Sequence, residues 1–409
     1  MIQNWSQNVS FNGEVVAPKN LSELQSLIEK SNKIRGIGTR HSFNSIADSA
    51  DLIISSKNLN REIELDSESG IVSVPSGVPY GLVAQYLEQK GLALQNLGSL
   101  PHISVVGATA TGTHGSGILN QNLSSSIVGG DLVLASGDLL TLSDQELQYL
   151  GVSLGSLGFI YKIYLKTIPT YKISQHVYLD LSFETLIQNF AYIFSLGYSV
   201  SVFHSWGKKS IEQLWVKSKD EPKSFNCEDF GVRLATKKFH PIASADPSAA
   251  TDQLGVPGPW NERLPHFKFS HTPSLGDELQ TEYFIPFEFG PQALIDLDKI
   301  GYLIAPLLLI SELRTVAADD FALSTAYGRD VLAIHFTWVQ NEPQVRLLLP
   351  KIEIILKKYD ARPHPGKIFT AENFYFPEIF PKYPEFLSVR NNLDPSRKFI
   401  NSQLESWGF

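Results

Sequence analysis

Five short segments carry residue types and spacings that could do chemistry. In Arg35-Gly36-Ile37-Gly38-Thr39-Arg40-His41-Ser42-Phe43-Asn44 two glycines free the backbone to approach a ligand closely. The amides and hydroxyls of Gly38, Thr39 and Ser42 could form an anion nest, and Arg40 adds positive charge. A pyrophosphate is the natural guest; a plain strand-to-helix turn is the alternative. The run 99–117 is mostly Gly, Ser, Thr and Ala, better suited to lining a bulky buried ligand than to a charged surface linker. Its alternative is a flexible loop. In Ser311-Glu312-Leu313-Arg314 the two charges share one face of a strand among apolar neighbours, so they need each other or a polar ligand. In Ala333-Ile334-His335-Phe336-Thr337-Trp338, His335 and Thr337 share one face and the apolar residues the other. In Pro363-His364-Pro365-Gly366-Lys367 a stiffened backbone surrounds one lysine, which would otherwise read as solvated.

The elements that must position these residues follow from periodicity. Leu21, Leu24, Leu27 and Ile28 share a helical face behind an Asn20 cap with Glu23 three residues on. Residues 34–38 form a short apolar segment, 52–55 read as a strand, 62–65 with 71–74 as a hairpin, and 80–90 as a helix ended by Gly91. Residues 107–117 read as a Gly-rich loop, 131–135 with 139–142 as a second hairpin, and 159–165 as a strand. Beyond Pro169 the texture changes. Helices are predicted over 185–196, 291–303 and 344–359, the last kinked or split by Pro350. Strands are predicted at 200–204, 213–216, 282–286, 309–315 and 331–338. Residues 220–273 are Pro-rich and irregular, and the aromatic tail 369–409 must pack on another part of the chain.

Composition limits the function classes. The 409 residues are ample for a full core, and 43% hydrophobic with 19% charged residues excludes a disordered chain. A net charge of −8 argues against nucleic-acid binding. One cysteine, Cys227, excludes an internal disulfide or a cysteine-rich metal site, and no metal is expected. Residues 1–13 lack the pattern of a secretory signal, and the longest apolar stretch, 300–310, is about half of the ~20 residues a membrane span needs. A cytoplasmic monomer that engages neither membrane nor nucleic acid is the expectation. No GxGxxG follows a strand, and no phosphate-loop or HExxH motif is present.

Taken together, the segments resemble the vanillyl-alcohol oxidase superfamily of FAD-dependent oxidases, and most of all its alditol oxidases, the xylitol and sorbitol oxidases. The resemblance runs from Asn4-Trp5 to Phe399-Ile400-Asn401. Its most specific pieces are Gly38–Asn44, Ser99-Leu100-Pro101-His102-Ile103-Ser104 and Ala110–Gly117. Gly255-Val256-Pro257-Gly258-Pro259-Trp260, Glu312–Asp319, His335–Trp338 and Arg362–Lys367 add to it.

The resemblance implies an α+β fold of two domains. An FAD-binding domain of short strands and helices would span 1–169, with the C-terminal segment 365–409 returning to it. A cap with an antiparallel sheet flanked by helices would span 170–364. It implies FAD held by Gly36, Ile37, Gly38, Thr39, Arg40, His41, Ser42, Ser99, Ser104, Gly107, Thr111, Gly112, Thr113, His114, Phe159 and Ile160, with His41 bonded to the 8α carbon and His114 as the rival attachment point. Arg40 stands where a glycine often precedes that histidine. The substrate residues implied are Ser99, Glu312, Arg314, Thr337 and Lys367, joined by His335, with Glu312, Arg314 and Lys367 catalytic. Arg314 and Lys367 would stabilise the developing alkoxide. The reaction implied is oxidation of a polyol at C1 by O2. An aldonolactone oxidase or dehydrogenase and a catalytically silent binding protein are the alternatives.

Overall fold

The computed structural model describes residues 2–219, 227–271 and 276–409. Two small sheets and a hairpin-built one use the chain up to Pro169. Glu14–Val16, Leu52–Ser55 and Ile34–Ile37 form a three-stranded parallel sheet. A five-stranded antiparallel sheet orders Glu64–Asp66, Ile71–Pro75, Phe159–Lys166, Ile127–Val133 and Leu139–Leu142, so both expected hairpins form. Ile168–Pro169 pairs with Leu92–Ala93. Helix Leu21–Lys30 starts as its cap predicts: the Asn20 side chain accepts from the Glu23 amide at 2.9 Å. Tyr80–Gln89 ends before Gly91, whose φ of +71° is the left-handed turn that glycine accommodates.

The Gly-rich loop expected at 107–117 is corrected: Val105–Ala110 is a helix. Small residues without charge also suit a buried helix. Val105 and Ala108 enter the main core, and Gly112 turns the chain at φ +70°. Pro350 does not split its helix, which runs unbroken over Glu342–Lys357. The carbonyl that loses its donor belongs to exposed Arg346, while Val345, Leu348, Leu349, Ile352 and Leu356 stay buried. Conversely, the helices expected at 185–196 and 291–303 each break in two, as Phe183–Gln188 with Phe190–Phe194 and Gly290–Asp298 with Gly301–Ile304.

The large sheet is antiparallel throughout. Its strand order is Arg233–Leu234, Lys172–Leu179, Gln213–Ser218, Ser199–His204, Leu308–Val316, Val331–Val339, Glu278–Pro286 and Arg362–Pro363, with Gly258–Pro259 on the side of Lys172–Leu179. Strand periodicity gives it two unlike faces. One face carries Leu313, Ile334, Phe336, Trp338, Leu279 and Tyr283, all fully buried in a core shared with Leu294, Leu297, Val345 and Ile352 of the flanking helices. The other carries Glu312 and Arg314, then His335 and Thr337, then Gln280 and Glu282, on three adjacent strands. Between residues 227 and 271 only short elements occur, and this irregular stretch folds over the polar face; 220–226 and 272–275 lie outside the described residues.

The tail carries hydrogen bonds back to the first third of the chain. Arg35, 4% exposed, donates to the carbonyls of Ile46, Leu154, Gly155 and Phe399 at 2.6–2.8 Å. The Asn401 amide reaches the carbonyls of Ser45, Ile46 and Asp48. Among the described residues no helix is long and apolar enough to cross a membrane.

Candidate active site

One cavity of about 490 Å³ runs from the first glycine loop to the polar face of the large sheet. At the loop end it is lined by 36–42, Ser104, Gly107, Thr111, Gly155, Gly158, Phe159 and Ile160. Gly38 is required there by close packing: a Cβ would meet the Ser104 hydroxyl at 2.3 Å. Thr39 Oγ1 accepts from the Ser104 amide at 3.0 Å, which fastens the loop to the start of helix Val105–Ala110. Arg40 adopts φ +64°, the conformation that favours glycine, and its guanidinium donates to the Gln3 carbonyl at 3.0 Å. The expected site residues line this cavity with one exception: Gly112 serves the turn instead, its Cα facing Val152.

At the sheet end the hub is Glu282, a residue that sequence reading passed over because the strand was begun there rather than at Glu278. Its Oε1 accepts from Arg314 Nη2 at 2.8 Å and lies 3.1 Å from His114 Nε2. Its Oε2 accepts from Lys367 Nζ at 2.7 Å. Lys367 is therefore held, not solvated. The turn that presents it is pinned to the first loop, with Phe43 N donating to the Gly366 carbonyl and the Asn44 amide to the carbonyls of Pro365 and Lys367. The expected Glu312–Arg314 pairing is looser, at 3.6 Å. Instead His266 Nε2 lies 2.7 Å from Glu312 Oε1, and Arg314 Nη1 donates to Ser99 Oγ at 3.2 Å. His335 Nε2 meets Gln280 Oε1 at 3.1 Å, and Thr337 lines the cavity beside it. Gln280 and His266 were also missed. Alternation along the Glu278–Pro286 strand could have found Gln280 and Glu282, but nothing local marks His266.

Burial sets the protonation states. It works against ionised carboxylates, yet Lys367 and His114 then Arg314 hold Glu282 well below the usual range, and Arg314 with His266 does the same for Glu312. Burial pulls Lys367 down while Glu282 opposes it. Burial also pushes the His335 ring down to about 3 and the His41 and His266 rings to about 4. Two carboxylates and two fixed cations thus cancel, leaving a neutral surface dense in donors and acceptors.

The two candidate histidines differ. His114 is taken up: Nδ1–H donates to the Gly115 carbonyl at 2.8 Å, and Nε2 faces Glu282. His41 stacks on Trp5 at 5.4 Å, and neither buried ring nitrogen has a hydrogen bond of good geometry among the described residues, with only the Thr39 backbone facing the ring. A buried ring without a well-formed hydrogen bond fits a group that is yet to be bound there.

Two family models match the chain: one for an FAD binding domain over residues 14–143, the other for D-arabinono-1,4-lactone oxidase over 272–407. The chain is 37% identical to an alditol oxidase of Streptomyces sp. across 98% of both proteins. The chain belongs to the vanillyl-alcohol oxidase superfamily of FAD-dependent oxidoreductases. It is also 30% identical to an L-gulono-1,4-lactone dehydrogenase of Mycobacterium tuberculosis, covering 97% of this chain and 96% of that one. Two solved cholesterol oxidases share the superfamily fold at TM-scores of 0.81 and 0.80, with 14% and 13% identity over 96% or more of each chain. The residues present fit FAD: a backbone cradle without room for side chains at one end, a His41 ring without a well-formed hydrogen bond beside it, and a paired polar patch at the other end.

The buried rings make stability sensitive to acid. His41, His204, His266 and His335 resist protonation in the folded protein down to about 3–4, whereas the unfolded chain takes up those protons near 6.5. Below that pH the unfolded state binds more protons, so stability falls as pH falls. Thermal melts should show the midpoint dropping steadily from about pH 6.5 toward 4, with Glu282 and Glu312 adding to the loss below about 4.5. A midpoint that stays flat over that window would mean these rings are already charged when folded.

Proposed function

We propose that the chain oxidises the terminal C1 hydroxyl of alditols such as xylitol and sorbitol to the aldose, with O2 reduced to H2O2. The observation that carries this reading is the charge-balanced polar patch of Ser99, Glu282, Glu312, Arg314, Thr337 and Lys367 along one cavity, in a chain matched end to end by an alditol oxidase. Because its fixed charges balance, the cluster carries no net positive charge that would select a carboxylate substrate, although Arg314 and Lys367 remain local donors. It suits a neutral row of hydroxyls, each able to donate and accept. The division into an FAD-binding unit of 1–169 with 365–409 and a cap of 170–364 belongs to the same proposal. It is supported by the large sheet drawing all its strands from 172–363 and by the tail packing on the first third.

FAD, when bound, supplies the acceptor for the hydride leaving C1 and passes the electrons to oxygen. The protein's own groups do the rest. Glu312, Thr337 and Ser99 orient the hydroxyls. Arg314 and Lys367, both tied to Glu282, point fixed positive charge at the oxygen that becomes an alkoxide as its proton leaves. His335 is neutral, and its Nδ1, without a partner among the described residues, takes up the proton that leaves the hydroxyl. The aromatic and apolar residues Phe203, Ile242, Phe267 and Ile310 line the same cavity and exclude water around these charges, which strengthens them.

The lactone reading has its own support in the lactone oxidase match over 272–407 and the mycobacterial relative. Side-by-side turnover of xylitol, sorbitol and L-gulonolactone with peroxide detection separates the two. The expected result is peroxide from the polyols at least about tenfold faster than from the lactone, a difference of about 1.4 kcal/mol. Preference for the lactone overturns the alditol reading, and a purified protein with no yellow colour overturns both.

We further infer that His41 carries FAD covalently, which its neutral state and its two buried ring nitrogens without a well-formed hydrogen bond support. After acid precipitation the yellow chromophore should stay with the pellet, and His41→Ala should release it to the supernatant or leave apoprotein. A chromophore still bound to that variant would move the assignment to His114.

Lys367→Met keeps length and deletes the charge. Flavin content should be unchanged, while anaerobic reduction by xylitol slows by about 10²–10³. A rate within about threefold of the parent, roughly 0.65 kcal/mol, would make Lys367 a purely structural partner of Glu282.

A further inference from the structure

A buried polar chain lies behind Glu312 that the chemistry above does not use. Lys217, on the Gln213–Ser218 strand, is 1% exposed. Its register, opposite Ser199 while Phe203 lies opposite Glu312, puts it on the same sheet face as Glu312 two strands away. No carboxylate lies within ion-pair distance of it among the described residues. Its Nζ donates instead to the carbonyls of Leu264 at 2.6 Å and Pro265 at 2.9 Å, and lies 3.3 Å from His266 Nδ1. Three acceptors meet the three N–H groups of an ammonium. Donation into Nδ1 leaves the single proton of a neutral ring on Nε2, and Nε2 lies 2.7 Å from Glu312 Oε1. The segment is fixed in turn, as Thr251 Oγ1 donates to the Pro265 carbonyl and the His266 amide to the Ser99 carbonyl. Among the described residues Glu312 Oε2 has no hydrogen-bond partner, and Glu312 lines the cavity.

We propose that Lys217 and His266 are positioning residues for the substrate: Lys217 sets the His266 tautomer, and the Nε2–H of His266 holds Glu312 Oε1 so that Oε2 accepts from a substrate hydroxyl. This rests on the reading of the site as a polyol oxidase. The groups that face Lys217 are His266 from the segment after Leu264, Glu312 and then Arg314 from their strand, Gln175 across from it, and Ser199 and Ser201 on the strand between. Burial, opposed by Glu312, pulls the Lys217 ammonium down to about 7. Loss of its proton releases the tautomer, so substrate affinity weakens as the pH rises through that value.

The test is the kcat and KM of the holoenzyme for xylitol, from about pH 6 to 9, in the parent and three variants. His266→Gln retains an acceptor for Lys217 and a donor for Glu312, and should keep KM within about threefold. His266→Leu and Lys217→Met should raise KM at about pH 6 by about tenfold or more with kcat little changed, since a hydrogen bond to a charged group is lost. Lys217→Met should also abolish the rise of KM above about pH 7. If Lys217→Met fails to fold, the Gln and Leu variants at 266 decide. A folded His266→Leu with parental KM, or a Gln variant as impaired as Leu, overturns the proposal. A parent that ignores xylitol but turns over L-gulonolactone refutes the alditol reading alone, and the same KM comparison on the lactone then decides the positioning role.

Discussion

The site depends on the burial of one carboxylate. Glu282, 1% exposed, is shared by Arg314, Lys367 and His114, which come from the next strand but one, the turn after Arg362–Pro363 and the segment following helix Val105–Ala110. Taking such charges out of water costs several kcal/mol per ion, and only close, hydrogen-bonded pairing offsets it. The pairing therefore dictates where three distant parts of the chain must meet. Loss of Glu282 would leave two buried cations opposed, so its role in structure and its role in presenting those cations to a substrate are not separable.

Around that hub the sheet does the sorting. An antiparallel sheet with a strict period of two can bury one face against helices and leave the other free to carry chemistry. Here the polar positions of three adjacent strands fall in register, with Glu312 opposite His335 and His335 opposite Glu282. A one-residue slip of any of these strands would send its charges into the apolar core, so the same registry that builds the core also aligns the site.

The cofactor end follows a different rule, that of small size. Gly38 admits Ser104 where a Cβ could not fit, and helix Val105–Ala110 supplies a compact wall. Arg35, buried with only carbonyl partners, gathers the first loop, the 154–155 turn and the tail around it. The tail thus holds Arg35, a cavity-lining residue 364 positions before Phe399, in place.

Local pattern was enough to place Glu312 with Arg314, and His335 with Thr337, on single strand faces, because alternation is a property of neighbouring residues. It was also enough for the Asn20 cap, the two hairpins and the glycines of the first loop, whose constraints act within a few residues. It misread 107–110, since charge-free small residues serve a buried helix as well as a loop, while 111–117 is irregular as expected, and it overrated Pro350, whose cost fell on an exposed carbonyl. Only the tertiary structure made Glu282 the hub, joined Lys217 to Glu312 through His266, and left His41 without a well-formed hydrogen bond while engaging His114. The contacts of the Glu282 hub and of the Lys217–His266–Glu312 chain join residues 32 to 168 positions apart, and hydrogen bonds over such separations are set by sheet order and loop packing, which no local periodicity encodes.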